Sequence, residues 1–147
     1  QEFVDLVQQA RLLEKTGSGA EDLWRRALAI YHGEFLPELD ANWITVHRTL
    51  ILESYIEALS GVGNAALARQ NFREAEHILK QALVVDPYRE ETYRSLIRCY
   101  GEQGEHHLLL RIYKRLSSLY EEEFGITPSQ ETLSIMQKYM AASPLAK

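Results

Sequence analysis

Residues 56–87, IEALSGVGNAALARQNFREAEHILKQALVVDP, constrain this chain more than any other stretch. They read as two helices joined by a turn. Gly63, Ala75 and Ala82 are small where two antiparallel helices must approach closely, and Leu59, Val62 and Leu79 supply the apolar faces between them. Pro87 stops the second helix, because it lacks an N–H and biases Asp86 away from helical geometry.

In order and spacing, Leu59, Val62, Gly63, Ala75, Leu79, Ala82 and Pro87 resemble the marker positions of a tetratricopeptide repeat, a unit of about 34 residues. Such a repeat says much about fold and little about function, since stacked repeats are binding scaffolds with many clients. Moving one unit forward places Ile97, Leu109, Tyr113 and Leu116 at the positions of Gly63, Ala75, Leu79 and Ala82, with Tyr100 at the eleventh position of the unit. This looser unit, residues 90–121, has lost its small residues at two closely packed positions. Moving backward, Val4, Val7, Ala20, Trp24 and Ala27 mark a degenerate unit over residues 1–32.

The rest follows from local signals. Thr16-Gly17-Ser18-Gly19 breaks the first helix from a second over about residues 20–31. Residues 33–55 hold an insertion and a helix start. Phe35, Leu36 and Leu39 are apolar enough to pack down, Asp40 or Asn42 can cap the next helix, and that helix is expected from near Trp43 to Arg69. Gly61 and Gly63 within it each cost roughly 1 kcal/mol relative to Ala, so close packing is expected there. Gly101 and Gly104 are expected to bracket the turn of the looser unit. A capping helix is expected over residues 127–142, with Thr127 as N-cap, Pro128 first in the helix and Gln130 completing a capping box. Its stripe of Leu133, Ile135, Met136, Tyr139 and Met140 covers the open end of the stack. The expected architecture is all-α: a tetratricopeptide-like right-handed stack of about seven antiparallel helices with a C-terminal capping helix, one domain over residues 1–147.

Charge and motif content narrow the chemistry. A net charge of −5 argues against these residues gripping phosphates. A single cysteine, Cys99, rules out an internal disulfide and points to a reducing, cytoplasmic setting. No apolar run approaches the roughly 18 residues of a membrane span, and no signal peptide is visible. The chain opens on Gln1 with a helix under way, and so reads as part of something longer. His106 and His107 are adjacent on a helix, about 100° apart, and do not converge on one ion with His77 or Cys99. Cys99, between Arg98 and Tyr100, reads as a small buried group, and Glu121-Glu122-Glu123 as a solvated helix face. With no GxSxG, HExxH or phosphate-cradling loop, neither enzymatic activity nor a cofactor or metal is expected.

The surface left for function is the inner groove, lined by the first helix of each repeat. Its ligand-facing positions are Glu57, Ser60, Asn64 and Leu67, then Glu91, Arg94, Arg98 and Gly101. Ser60, Asn64, Leu67, Arg94 and Arg98 form the candidate surface: an Asn and two arginines one repeat later can hold an extended peptide and a carboxylate.

Three stretches narrow the identity: ALAIYHGEFLPELDANW, AEHILKQALVVDPYREETYRSLIRCYGEQG and YKRLSSLYEEEFGITPSQET. In this order they resemble the bacterial transcriptional activator domain of antibiotic-regulatory-protein-type activators, with departures at Leu109 and His106-His107. The resemblance implies a regulatory domain that contacts itself, neighbouring domains or the transcription machinery. It also implies that DNA is bound through a winged-helix domain outside this chain, and that receiver, ATPase or phosphopeptide-reading modules accompany some members. The alternative reading is a small-molecule or peptide sensor using the groove.

Overall fold

The computed structural model describes residues 2–16, 19–31 and 48–142. Within them the chain forms seven helices and no strand: α1 (Glu2–Thr16), α2 (Ala20–Ala29), α3 (Arg48–Ala68), α4 (Phe72–Val85), α5 (Glu90–Glu102), α6 (His106–Phe124) and α7 (Gln130–Ala141). The insertion, its candidate caps Asp40 and Asn42, and the expected start at Trp43 lie outside the described residues. Each helix packs on the next, and α7 turns back onto α5 and, less extensively, α6. This is the expected tetratricopeptide-like helical stack.

Two apolar clusters fill the stack. The first joins Phe3, Leu6 and Val7 of α1 and Trp24 and Ala27 of α2 to Tyr55, Leu59 and Val62 of α3. The second runs from Ala66 through Ala75 and Leu79 of α4 and Tyr93, Leu96 and Ile97 of α5 to Leu109 and Leu116 of α6. The expected close approaches are present. A Cβ on Gly61 would overlap the Trp24 ring, and one on Gly63 would sit 2.8 Å from Leu79 Cδ2. Substituting either would force the neighbour to move.

The turns are fixed by chemistry that is partly local. Asn71 caps α4 by accepting from the Glu74 N–H at 3.4 Å. The turn after α4 is pinned from outside: Tyr93 donates to the Pro87 carbonyl at 2.6 Å and Tyr120 to the Tyr88 carbonyl at 2.7 Å. Gly125 ends α6 in the left-handed conformation, φ +66°.

Gly101 and Gly104 bracket the turn as expected: the Gly101 carbonyl accepts the Gly104 N–H at 3.1 Å, and Gly104 is left-handed at φ +72°. Gly101 also lies in the last turn of α5, where the Tyr139 ring of α7 occupies the place a Cβ would take. One expectation is corrected. The N-cap of α7 is Ser129 and not Thr127, and Pro128 precedes the helix. Ser129 caps locally, its hydroxyl accepting the Thr132 N–H at 3.4 Å, and Glu90 of α5 reinforces this by accepting the Ser129 N–H at 3.0 Å and binding its hydroxyl. Ser129 is extended, at φ −64° and ψ 159°, and the helix starts at Gln130.

Candidate functional site

The inner face is built from α3 and α5, and the structure divides the candidate residues among different tasks. Glu57 is held by Arg11 of α1 in a two-pronged ion pair, 2.5 Å from Nε and 2.7 Å from Nη2. Ser60 is half-buried one turn further on. Asn64 accepts from the Ser95 hydroxyl at 2.8 Å, which ties α3 to α5. That bond occupies its carbonyl oxygen, so Asn64 works first as a strut between repeats.

Arg94 is engaged as well. Its guanidinium lies 3.3 Å from Glu90 and 3.3 Å from the Thr132 hydroxyl, and 3.8 Å from Glu131. Together with Ser129 these residues form a latch that seats α7 on α5. Burial alone would raise the Glu90 carboxyl. Hydrogen bonds from Ser129 and Thr132, with the charge of Arg94, outweigh it and hold the group below its ordinary range. The far stretch of the groove is therefore filled by the chain's own last helix.

Leu67 and Arg98 remain together. They line a depression of about 240 Å³ with Ala68, Gln70, Phe72, Glu102 and Tyr139. Arg98 is half-buried and makes no ion pair among the described residues. Tyr139 donates to Glu102 at 2.5 Å. Burial, reinforced by that carboxylate, pushes its hydroxyl up to about 12, so it stays a donor at neutral pH. An apolar wall of Leu67 and Phe72, an aromatic lid and one cation suit a small carboxylate or a peptide side chain. Nothing in the arrangement pairs a nucleophile with a base.

The other chemical groups fit a structural role. Cys99 is fully buried, 3.6 Å from the Phe72 carbonyl, and burial pushes its thiol up to about 11. It is thus a protonated, shielded thiol and a poor nucleophile. No group of three or more potential metal ligands converges among the described residues, and no described helix is long and apolar enough to cross a membrane.

Sequence reasoning missed two surfaces. The first is an exposed aromatic edge: Tyr88, Phe124 and Ile126 are 41%, 54% and 51% exposed, and Phe124 stacks edge-on against Tyr88 and Tyr120 at 5.5 and 5.6 Å. The sequence does not single out these residues, because only packing decides which face of α6 runs out of partners. The second is a basic depression between α4 and α6, lined by Lys80, Arg111 and Arg115. The α4 and α6 contributions are about 30 residues apart in the chain, and no local pattern joins them.

The model of the bacterial transcriptional activator domain matches residues 1–139 of this chain. Comparison with curated proteins and with solved structures gave no match.

Proposed function

Because this chain belongs to the bacterial transcriptional activator domain family, found in antibiotic-regulatory-protein-type activators, we propose that it is the regulatory protein-interaction domain of a transcription regulator. It works in the cytoplasm, without catalysis, and leaves DNA binding to a domain elsewhere in the parent chain. Its role is to associate with itself or with neighbouring domains and so set the activity of that DNA-binding domain.

The observation that carries this reading is the aromatic edge. Phe124 and Ile126 keep more than half of their surface in water although apolar burial is worth about 25 cal/mol per Å². A rimmed apolar cluster of this kind is typical of a protein contact. The test is sedimentation of the chain over a range of concentrations, alone and with the DNA-binding region of its parent. Association in either experiment is expected, and Phe124→Ser should weaken contacts made through the edge. A strict monomer that ignores the DNA-binding region would overturn the proposal.

The depression at Leu67 and Arg98 favours a second reading, a sensor for a small carboxylate or peptide. Ser60 and Asn64 flank the same face but point to no common ligand.

A further inference from the structure

The basic depression between α4 and α6 stands out in a chain of net charge −5. Lys80, Arg111 and Arg115 surround a floor of Tyr100, Leu108 and Ile112, with a volume of about 170 Å³. Lys80 is engaged by Glu76 at 3.4 Å. Arg111 and Arg115 make no ion pair among the described residues.

The carboxylates that match them lie on the same helix. Leu108, Arg111, Arg115, Ser118 and Glu122 recur every three or four residues along α6 and share one face. Arg111, Arg115, Ser118 and Glu122 are exposed, and the Glu122 side chain is also without an ion pair among the described residues. The stripe is basic in its first half and acidic in its second, with a small serine between. Turned end for end, such a stripe complements itself: Arg111 faces Glu122, and Arg115 faces Ser118. That is the pattern an isologous two-fold contact requires. On α4, one turn beyond Lys80, Val84 is 85% exposed and offers apolar area on the same helix as Lys80.

We infer that a second copy of this chain docks on the α4–α6 face, its α6 antiparallel to the first and crossing midway between Arg115 and Ser118. Glu122 of each copy then enters the other's depression between Arg111 and Arg115. This deepens the interaction reading above and rests on it. Exposed ion pairs are individually weak, so the contact depends on the paired arginines acting together and on Val84 and Leu108 excluding water around them. It is also expected to weaken with salt, because the screening length falls from about 10 Å at 0.1 M to about 3 Å at 1 M.

The test uses the 147-residue chain and two charge-reversed variants, Arg111→Glu/Arg115→Glu and Glu122→Arg, with melting curves to confirm folding. Wild type should dimerise in sedimentation experiments, and each variant alone should raise the dissociation constant by at least about tenfold. An equimolar mixture of the two variants should recover the dimer, because in the mixed pair one contact is charge-reversed, the other is native, and both are complementary. Variants that dimerise like wild type would remove this face while leaving the interaction reading intact. A mixture that fails to recover would overturn the antiparallel pairing. A wild-type monomer at all concentrations would overturn the second copy as partner, whereas binding to the parent's DNA-binding region would still support the broader reading.

Discussion

The hydroxyl of Thr132 is fully buried and donates to the carboxylate of Glu90, joining the first turn of α7 to the first turn of α5 across 42 residues of sequence. The same carboxylate receives the Ser129 N–H, and Arg94 neutralises it from the side. One acid therefore grips the start of the last helix, orients it and closes the groove that the first helices of the repeats would otherwise leave open.

This latch is pH-dependent with a definite sign. The folded-state Glu90 carboxyl titrates below its ordinary value of 4.5, so its stabilisation is present above that value and is lost as pH falls through the lower folded-state value. The protection of α7 amides against hydrogen exchange, referred to the intrinsic rate at each pH, should fall on acidification below about pH 4.5, ahead of α3. Glu90→Gln should cost about 1–3 kcal/mol in chemical denaturation and flatten that dependence. An unchanged acid limb would show that Glu90 does not hold the helix.

Gly61 and Gly101 make a contrasting pair. In an exposed helix, Gly→Ala adds about 0.5–1 kcal/mol of stability. At Gly61 the new methyl meets Trp24, which is 1% exposed and enclosed, so Gly61→Ala should cost about 1–3 kcal/mol. At Gly101 the ring in the way belongs to Tyr139 near the surface. Gly101→Ala should therefore loosen α7 selectively, read as faster exchange there, with a smaller loss in global stability.

Thr92 is 2% exposed and its hydroxyl has no hydrogen-bond partner among the described residues. Thr92→Val keeps the shape and the β-branch and removes a desolvated polar atom. A gain of about 1 kcal/mol is expected in denaturant titration, and a loss would reveal a partner for the hydroxyl.

Arg98→Ala should leave the melting temperature nearly unchanged, because the guanidinium is in no ion pair among the described residues. If the depression holds a carboxylate, binding of that ligand in calorimetry should fall by at least about tenfold. A large drop in melting temperature would make Arg98 structural.

Cys99 should react slowly with a thiol reagent at neutral pH in the folded chain and rapidly in denaturant. Its thiol is buried and pushed up to about 11, and the thiolate is the reactive form. Rapid labelling of the native chain would show that α4 and α5 separate readily.

The repeat was legible because its markers act locally. Gly63, Ala75, Ala82 and Pro87 report helix proximity and helix stops through their own backbone and volume, whatever surrounds them. Gly61 could be assigned to close packing on the same ground, although its neighbour Trp24 could not be named. Gly101 was legible as a turn residue, but a glycine near a helix end has two physical reasons to exist, and the second, the close approach of the Tyr139 ring, is decided only by packing. Asn64, Arg94 and Arg98 were all assigned to one groove by repeat position. That position sets the direction a side chain points and not what else competes for it: Ser95 takes the first, α7 takes the second, and only Arg98 is left open.

The sequence by itself determined an all-helical repeat stack, its family, its acidic balance and the small residues that let helices approach, since these depend on periodicity, volume and charge count. Tertiary structure alone decided that Glu90 grips the start of α7, which groove residues are spent on internal contacts, and that Lys80 shares a depression with Arg111 and Arg115. Those outcomes depend on groups about 30 to 40 residues apart meeting at hydrogen-bond or van der Waals distance, which helical periodicity does not encode.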